Sequence, residues 1–303
     1  MATVSALLGL WAETSIHAGA GSSVDGIDLP IQREAHSDFP CVFGSSVKGA
    51  LRAKAEDLWG SKNDSVRYVF GPDSNSDEAS KHAGAIMVGD ARLLLLPVRS
   101  LTGYFKWVTC PALLERLQRD ASRLSVGLDD YSVPSLTENS GKALLPNCDG
   151  NDLFLEEYRL KTEADTSANL VAVLSKVSGI SEELLNSQLA IVDNSMFTYL
   201  SRYATPVAAH IAIDNTKKVV KAGALWYEET LPPETVFYMA LAANNVRDSE
   251  AKYDDSQPVK ESKAQTVLNS ITETLFADSP YLQVGGNETV GMGWCKVKAT
   301  KGA

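Results

Sequence analysis

Apolar residues along the chain fall into two patterns, short continuous runs and helical spacings, which predict strands and helices respectively. Thr3–Trp11 is a nearly continuous apolar run, which is typical of a strand covered on both faces. A helix is predicted from Ser45 or Ser46, as its N-cap, to about Trp59. Its buried face would be formed by residues at helical spacing, namely Val47, Ala50, Leu51, Ala55 and Leu58.

The same patterns predict the other elements. Apolar runs indicate strands at residues 39–43, 85–88, 91–97, 104–108, 235–243, 281–284 and 294–297. Helices are expected to start at Pro111, to cover 168–177, 182–192 and 195–203, and to include the apolar residues between 264 and 275. Residues 60–84, apart from one helical turn, and 125–155 are too rich in polar and turn-forming residues for us to assign regular structure. Since no repeat and no interdomain linker is visible, residues 1–303 are expected to form a single domain.

A long β-hairpin is predicted by two apolar segments that flank a polar turn. Val207–Ile213 and Val219–Trp226 are the expected strands, and the tip between them carries Lys217 and Lys218. A basic projecting hairpin with apolar residues can press against nucleotide bases. The same composition also serves as a simple soluble edge, so the pattern leaves both interpretations open.

The glycine-rich segment 285–293, GGNETVGMG, does not fit a dinucleotide-binding motif. Such a motif follows the first strand and opens a helix, whereas this segment lies between two predicted strands near the C-terminus. It also lacks the Gly-Lys-Ser/Thr of a P-loop. Two interpretations remain: a bulged hairpin that needs glycine for positive φ, or a close approach of backbone amides to a phosphate chain.

Composition narrows the class of protein. Hydrophobic residues make up 44% of the chain and charged residues 22%, which indicates a globular protein. The net charge of −10 argues against non-specific binding to bare nucleic acid but leaves a local basic groove open. The four scattered cysteines form no CxxC pair, which favours a reducing cytoplasm over a disulfide framework or a zinc site. Neither a signal peptide nor a membrane helix is assigned to the N-terminus.

Candidate chemistry is concentrated between Gly26 and Arg52. The first half of this stretch is a polar loop with an acid (Asp28), a base (Arg33) and an imidazole (His36), and it follows a small-residue segment that is expected to be mobile. Lys48 lies in the first turn of the predicted helix, where the helix dipole favours an acid, so an external phosphate is one interpretation and a solvated lysine is the other.

For charged residues elsewhere in the chain, a structural role competes with a catalytic or nucleic-acid-binding one. Asp90 follows a glycine between two predicted strands, so a turn role competes with a catalytic one. Arg116, Arg119 and Arg123 lie off the apolar face of the helix that starts at Pro111. A solvated basic face is expected there, with a nucleic-acid groove as the alternative.

Five segments in order carry a resemblance to a known family. They are HAGAGSSVDGIDLPIQRE, FGSSVKGALR, VGDARLLLLPVRS, ALWYEETLPPETVF and VGGNETVGMGW. Together, from about Leu7 to Trp294, they resemble the RAMP superfamily of CRISPR effectors, and in particular the repeated backbone subunit of the type III-B (Cmr) complex. The pairing of DLPIQRE with GSSVKGALR is the specific part, because the glycine-rich end is shared by many RAMP proteins.

The resemblance implies an α+β fold. It would consist of an RRM-like (ferredoxin-like) palm, finger-like insertions at about 60–84 and 125–155, and a thumb hairpin at about 207–226. It also implies guide RNA, complementary target RNA, further copies stacked head-to-tail and other Cmr subunits as partners, in the cytoplasm and without a membrane. Base pairing would then supply sequence specificity while the protein holds the backbone, as in other RNA-guided effectors.

The resemblance further implies that target RNA is cut at regular intervals in a divalent-metal-dependent reaction, with Mg or Mn. Asp28 matches the aspartate of the DxPIQR loop, which would act at the ribose 2′-OH or hold the metal. Guide or target contacts are expected from residues of the matching segments, namely His17, Arg33, Ser45, Ser46, Lys48, Arg52, Gly285, Gly286, Gly291 and Gly293, and also from Lys217 and Lys218 at the tip of the thumb hairpin.

Other assignments stay open at this point. Asp25 is a rival acid in the same loop, although it does not fall on the DxPIQR position. Glu228, at the base of the hairpin, is a second catalytic candidate that would approach from a neighbouring copy. The alternative function is an RNA-binding backbone without chemistry of its own, in which Asp28 only caps the loop. A guide-processing nuclease is disfavoured, because the close match lies in the acidic loop and not in a histidine pair.

Overall fold

The computed structural model describes residues 3–23, 26–73, 81–128, 130–167 and 169–302. The strands within these ranges are β1 (Val4–Ala12), β2 (Cys41–Val42), β3 (Ile86–Val88), β4 (Ala91–Arg99), β5 (Phe105–Thr109), β6 (Lys142–Leu145), β7 (Leu153–Leu155), β8 (Tyr158–Ala164), β9 (Leu189–Val192), β10 (Val207–Asp214), β11 (Val219–Glu229), β12 (Val236–Ala243), β13 (Tyr281–Gln283) and β14 (Trp294–Lys301).

The α-helices in the same ranges are α1 (Gly44–Trp59), α2 (Asp64–Phe70), α3 (Pro111–Arg123), α4 (Leu170–Ser178), α5 (Glu182–Gln188), α6 (Asn194–Tyr203) and α7 (Ala264–Asn269). A π-helical turn (Ser270–Thr274) continues α7, and a 3₁₀ turn (Glu288–Val290) lies in the glycine-rich segment. Across the described ranges, no helix has both the length and the apolar character needed to cross a bilayer.

One large mixed sheet organises the molecule around β1. Its order is β13-β14-β1-β12-β4-β5-β9-β6-β8-β7, and every neighbouring pair from β13 to β5 is antiparallel. The β5–β9 and β6–β8 pairs are parallel. The sequence prediction of an α+β fold with a first strand that is covered on both faces is therefore confirmed.

Two apolar cores cover the two faces of β1. Leu8 and Leu10 point to one core with α1 and α7, whereas Leu7 points to a second core with α3 and α4. The approach of α4 is so close that a Cβ on Gly9 would lie 1.9 Å from the carbonyl oxygen of Val177. Single RRM modules bind RNA on an open sheet face. In this chain helix α4 packs on one face of β1 and covers it.

Several predicted elements differ from the structure. The predicted helix over 182–192 ends at Gln188, and Leu189–Val192 forms β9, a fully buried strand between β5 and β6. Periodicity alone cannot distinguish a short, continuous apolar run in a strand from one in a helix. The unassigned region 125–155 contains β6 and β7, and the predicted strand at 39–43 is reduced to the two residues of β2.

The start of α1 also differs from the prediction. Phe43 is the N-cap, and no serine side chain caps the helix. The amide of Phe43 donates to Gln32 Oε1 at 2.7 Å, and the amide of Gly44 donates to Asp90 Oδ1 at 2.7 Å. Asp90 therefore supplies an internal carboxylate at the positive end of the helix. The start of α1 therefore does not require an anion from outside the chain.

The predicted hairpin is present as β10 and β11, which form a two-stranded sheet of their own. Asp214 Oδ1 accepts hydrogen bonds from the amides of Thr216 and Lys217 and so closes the turn. Midway along the hairpin, the rings of His210 and Trp226 stack with centroids 5.4 Å apart. Its large apolar side chains are nevertheless exposed, namely Val207, Ile211, Ile213, Val219, Val220, Leu225 and Tyr227. Such a concentration of exposed apolar area marks an interaction surface.

Candidate nucleic-acid interface

The loop that carries Asp28 is attached to the base of the hairpin. The amide of Leu29 donates to the carbonyl of Tyr227 at 3.0 Å, and the amide of Glu229 donates back to the carbonyl of Leu29 at 3.0 Å. The carboxylate of Asp28 itself accepts a hydrogen bond from the amide of Tyr227 through Oδ2 at 2.7 Å. Asp28 is exposed, and it forms no ion pair with any residue in the described ranges. One carboxylate oxygen therefore anchors the loop while the other stays available.

Glu229, which like Glu228 was expected at the hairpin base near the scissile site, is the internal anchor of this region, a structural role that the sequence pattern did not indicate. Its side chain is almost fully buried. Oε1 accepts from Arg33 Nη2 at 2.5 Å and from Thr205 Oγ1 at 2.7 Å, while Oε2 accepts from the amide of Ile31 at 3.1 Å. A buried carboxylate is tolerated when its lone pairs are satisfied in this way. Glu229 therefore holds three segments together, namely the loop at residues 31–33, Thr205 and strand β11.

Arg33, predicted to contact RNA, is engaged inside the protein. Besides its ion pair with Glu229, its guanidinium donates to the carbonyl oxygens of Asp38 at 2.9 Å and Ser201 at 3.0 Å. Only 16% of its side chain is exposed. Any contribution of Arg33 to RNA binding therefore acts through the shape of the loop.

His17 lies on the other side of the same network. Its Nδ1 lies 2.8 Å from the carbonyl oxygen of Glu229. Since a carbonyl only accepts, Nδ1 carries the proton, and in the neutral ring Nε2 is left as an acceptor. The backbone carbonyl of His17 accepts from the amide of Gly286 at 2.8 Å. His17 thus joins the hairpin base to the glycine-rich segment.

Glu228 lies beside the Asp28 loop of its own chain, and its approach from a neighbouring copy stays a prediction. It pairs in parallel with Leu29 through the backbone. Its Oε1 accepts from Asn287 Nδ2 at 2.7 Å, and the side chain is buried. The rival acid Asp25 lies outside the described residues.

A polar cavity of about 360 Å³ lies between α1 and the glycine-rich segment. It brings together Ser46, Gly285 and Gly286, three of the predicted RNA contacts, with Gln32 and Gly49. The Gln32 amide nitrogen donates to the carbonyl of Gly19 at 3.0 Å and lies 3.5 Å from Ser46 Oγ. The glutamine of the DLPIQRE segment thereby links the loop to α1, a role that the sequence pattern did not reveal.

Most amides of the glycine-rich segment are already used. Those of Gly286, Gly291 and Gly293 donate to the carbonyls of His17, Glu288 and Ser15, each at 2.8 Å. These amides are not available to form a phosphate cradle in this conformation. The glycines are required instead for positive φ and for close packing: a Cβ on Gly293 would lie 2.2 Å from the carbonyl oxygen of Val284.

Replacing Gly285 with alanine is expected to destabilise the protein. Gly285 has φ +88°, and its Cβ would lie 2.5 Å from the carbonyl oxygen of His17, a backbone atom that cannot move aside. We expect a loss of about 1–3 kcal/mol from overpacking. Gly291→Ala is the matched control, because Gly291 has φ +83° but open space around its Cβ position. Urea unfolding of both variants measures the difference, and equal midpoints would contradict the packing argument.

The basic residues of α1 have different environments. Arg52 donates to Glu56 at 2.7 Å and to the carbonyl of Gly71 at 3.1 Å, so it is held internally. Lys48 is half-buried and has no hydrogen bond or ion pair within the described residues. Burial and the neighbouring charge of Arg52 lower the pKa of Lys48 below its usual value. A phosphate oxygen nearby would offset both effects, and an external anion at Lys48 stays a prediction.

Replacing Lys48 with alanine is expected to weaken RNA binding and to reduce the salt dependence of log K by about 1, the value for one phosphate contact. The cost in folding stability should be small, because a partly desolvated, unpaired charge is removed. Lys54→Ala is the control: Lys54 lies on the same helix, its pKa is also lowered by burial, and it sits over the ring of Phe276. Filter binding over a range of salt concentrations tests both variants. An unchanged slope of log K against log salt concentration for Lys48→Ala would contradict a phosphate contact at Lys48.

The remaining predicted contacts are at the surface. Ser45 at the start of α1 is exposed, and so are Lys217 and Lys218 at the hairpin tip. Within the described ranges, no group of three or more His, Cys, Asp or Glu side chains is placed to hold a metal ion. The surface thus combines one exposed carboxylate, an unpaired lysine and an apolar hairpin with a basic tip.

Comparison with known proteins gives the class of this protein. The model of the RAMP superfamily matches residues 11–296. The CRISPR system Cmr endoribonuclease Cmr4 of Pyrococcus furiosus is 34% identical over 295 residues, which cover 96% of this chain and 94% of that protein. The CRISPR system CMR subunit Cmr4 of Saccharolobus solfataricus is 24% identical and matches 93% of this chain and 92% of its own length.

A solved structure agrees with the sequence comparison. The crystal structure of oligomeric Cmr4 from Pyrococcus furiosus superposes with a TM-score of 0.70 at 26% identity and covers 99% of both chains. The chain therefore belongs to the RAMP superfamily and, within it, to the Cmr4 family.

Proposed function

We propose that this chain is the guide-RNA-binding backbone subunit of a type III-B CRISPR ribonucleoprotein, and that it cleaves complementary single-stranded target RNA at regular intervals. The observation that carries the proposal is the position of Asp28, an exposed carboxylate fixed by Tyr227 at the base of an apolar, basic hairpin. The Pyrococcus furiosus relative is named an endoribonuclease, and its crystal structure is described as oligomeric. Copies stacked head-to-tail, with other Cmr subunits, are the partners we propose.

The proposed architecture is an RRM-like palm with insertions. The strand order β14-β1-β12-β4, all antiparallel, together with α1 between β1 and β4 and α7 between β12 and β14, supports this assignment. That is the arrangement of a βαββαβ unit. The regions near 60–84 and 125–155 would be the fingers, and the β10–β11 hairpin would be the thumb.

In the proposed reaction, the thumb inserts its exposed apolar side chains into the guide–target duplex and displaces one nucleotide of the target. The carboxylate of Asp28, next to the thumb base, then accepts or orients the proton of the ribose 2′-OH. Attack of that oxygen on the adjacent phosphorus breaks the bond to the 5′-oxygen. The products are a 2′,3′-cyclic phosphate and a 5′-OH end, with the proton delivered to the leaving oxygen from solvent.

The residues around Asp28 fit a divalent ion only in an open site, in which water and RNA supply most of the ligands. Mg²⁺ is bound by one or two carboxylates together with waters and substrate phosphates, and Asp28 offers one carboxylate oxygen without a partner in the described ranges. When bound, such an ion would neutralise charge on the scissile phosphate. No cage of protein ligands is present in these ranges, so the RNA itself would complete the coordination.

The second candidate function is an RNA-binding backbone without chemistry. The hydrogen bond from the Tyr227 amide favours it, because a carboxylate that caps a loop needs no other role. Guide binding and stacking would then be the whole function. Both functions use the same Lys48 and hairpin surfaces, and they differ only in what Asp28 does.

Cleavage of a labelled target by the assembled complex tests the proposal. We expect products at a regular spacing, with 2′,3′-cyclic phosphate ends and with loss of cutting in EDTA. Binding of the target without any products would favour the second candidate. If the products persist unchanged in EDTA, the proposed metal dependence is wrong, whereas the proposed cleavage still stands.

A further inference from the structure

Two segments of the chain connect the proposed thumb to the rest of the protein. One runs from the end of α6 to the start of β10, and the other is the end of β11. Thr205 Oγ1 donates to Glu229 Oε1 at 2.7 Å, and the amide of Thr230 donates to the carbonyl of Pro206 at 2.9 Å. The two segments are therefore held against each other where the thumb begins and ends.

The segment from Asp28 to Arg33 lies along the end of β11. Asp28 Oδ2 accepts from the amide of Tyr227 at 2.7 Å, and the amide of Ile31 donates to Glu229 Oε2 at 3.1 Å. Arg33 Nη2 lies 2.5 Å from Glu229 Oε1. The position of Asp28 against β11 is thus set by contacts that begin at its own carboxylate and end at the guanidinium of Arg33.

Arg33 also contacts the second of the two thumb segments. Its Nη1 donates to the carbonyl of Ser201 at 3.0 Å, and its Nη2 lies 3.5 Å from Thr205 Oγ1. Ser201 lies in the last turn of α6, where carbonyls have no donor inside the helix and a cation is favourable. One guanidinium therefore joins both thumb segments to the loop that carries Asp28.

These contacts require the shape of an arginine. The guanidinium is a planar fork of N–H donors, whereas a lysine carries one compact ammonium group. Nη1 of Arg33 donates to the carbonyl of Asp38 at 2.9 Å in addition to that of Ser201, while Nη2 faces Glu229. Only 16% of the Arg33 side chain and 4% of the Glu229 side chain are exposed. A positive charge alone would neutralise Glu229 but would not hold the two carbonyls.

We propose that Arg33 is a positioning residue, which sets the place of Asp28 relative to the thumb and thereby the phosphodiester of the target that is cut. This proposal rests on the proposed function, in which the thumb displaces a nucleotide and Asp28 acts on the ribose beside it. A displacement of about 1 Å can lower a rate about 100-fold. Arg33 acts through Asp28 and needs no contact with RNA.

Substitution of Arg33 by lysine in the assembled complex tests the proposal. Arg33→Lys keeps a positive charge beside Glu229 but loses the fork. We expect the single-turnover cleavage rate at saturating target to fall about 10- to 100-fold, while target affinity is unchanged. Products mapped at single-nucleotide resolution should spread to positions next to the regular ones. A loss of folded protein would reduce the amount of product but would not move the cut.

A double variant and a matched control separate positioning from charge and from stability. Arg33→Met combined with Glu229→Gln removes both charges, so no buried carboxylate is left uncompensated. We expect the same slow and displaced cutting as for Arg33→Lys. Arg202→Met is the control: Arg202 also joins α6 to this loop, through an ion pair with Asp38 at 2.6 Å, but 52% of its side chain is exposed. It should cut as the wild type does, because exposed ion pairs contribute little.

Three outcomes would overturn the positioning role. If the double variant cuts at the wild-type rate and positions, Arg33 only neutralises Glu229. If target affinity falls while the rate at saturation is unchanged, Arg33 acts on binding. If Arg202→Met is impaired as strongly, the effect does not belong to the fork of Arg33. In each case the wild type still cuts at regular intervals and the proposed function stands, whereas a wild-type complex that binds target without cutting it would refute the proposed cleavage itself.

Discussion

Replacing Asp28 with alanine is expected to lower cleavage of target RNA by the assembled complex about 10²- to 10⁴-fold, the usual contribution of a positioned general acid or base. Binding of guide and target should be unchanged, because the RNA contacts that we propose nearby lie on α1 and on the hairpin. Single-turnover cleavage with end-labelled target measures the rate, and filter binding measures the affinity.

Asp28→Asn is the matched variant for this experiment. An asparagine side-chain oxygen can still accept the hydrogen bond from the amide of Tyr227, so the loop stays anchored while the negative charge is lost. If the alanine and asparagine variants are equally impaired, cleavage requires the negative charge of Asp28. If the alanine variant alone is impaired, Asp28 acts by holding the loop. Continued cutting at the regular positions in both variants would favour the backbone without chemistry.

Replacing Arg116 with alanine is expected to lower the free energy of unfolding by about 3–5 kcal/mol, the cost of leaving one partner of a buried ion pair uncompensated. Arg116 Nη1 lies 2.6 Å and 2.9 Å from the two carboxylate oxygens of Glu34, and Nη2 donates to the carbonyl of Leu93 at 3.0 Å. Only 13% of the Arg116 side chain and 12% of the Glu34 side chain are exposed. Chemical denaturation followed by far-UV circular dichroism measures the effect.

Arg119→Ala provides the control on the same helix. Its guanidinium lies 3.8 Å from Glu115, and both side chains are more than half exposed. The expected change in the free energy of unfolding is within about 0.5 kcal/mol, as for other exposed ion pairs on helices. A similar small change for Arg116 would show that its ion pair contributes little. A loss of RNA binding in Arg119→Ala would favour the alternative interpretation, in which this face of α3 forms a nucleic-acid groove.

The three arginines of α3 illustrate what periodicity cannot tell. All three lie off the apolar face of the helix, and the sequence therefore predicted a solvated basic face. The prediction is wrong for Arg116, because the loop after Asp28 folds over the helix and brings Glu34 to it. It is close to the structure for Arg119 and Arg123, which remain exposed. A contact between two residues 82 positions apart in the sequence decided the difference, and no local pattern records such a contact.

The Asp28 loop was predicted to be mobile. Its attachment to β11 is a second long-range contact that the local sequence pattern does not record. The small residues before it gave no sign of the pairing between Leu29 and β11, which joins positions about 200 residues apart. The absence of an ion pair to Asp28 agrees with the expectation of an accessible carboxylate.

The sequence by itself determined the family, through the DLPIQRE and GSSVKGALR segments, and also the α+β fold class, the buried first strand, helix α1 and the hairpin. These depend on local periodicity and on short motifs, which a linear chain displays directly. Only the tertiary structure decided which charges are free. Arg33 and Arg52 were expected to hold RNA, yet Glu229 and Glu56 already neutralise them. Lys48 and Asp28 remain unpaired with any opposite charge in the described ranges, because whether an ion finds a partner depends on packing across the whole chain.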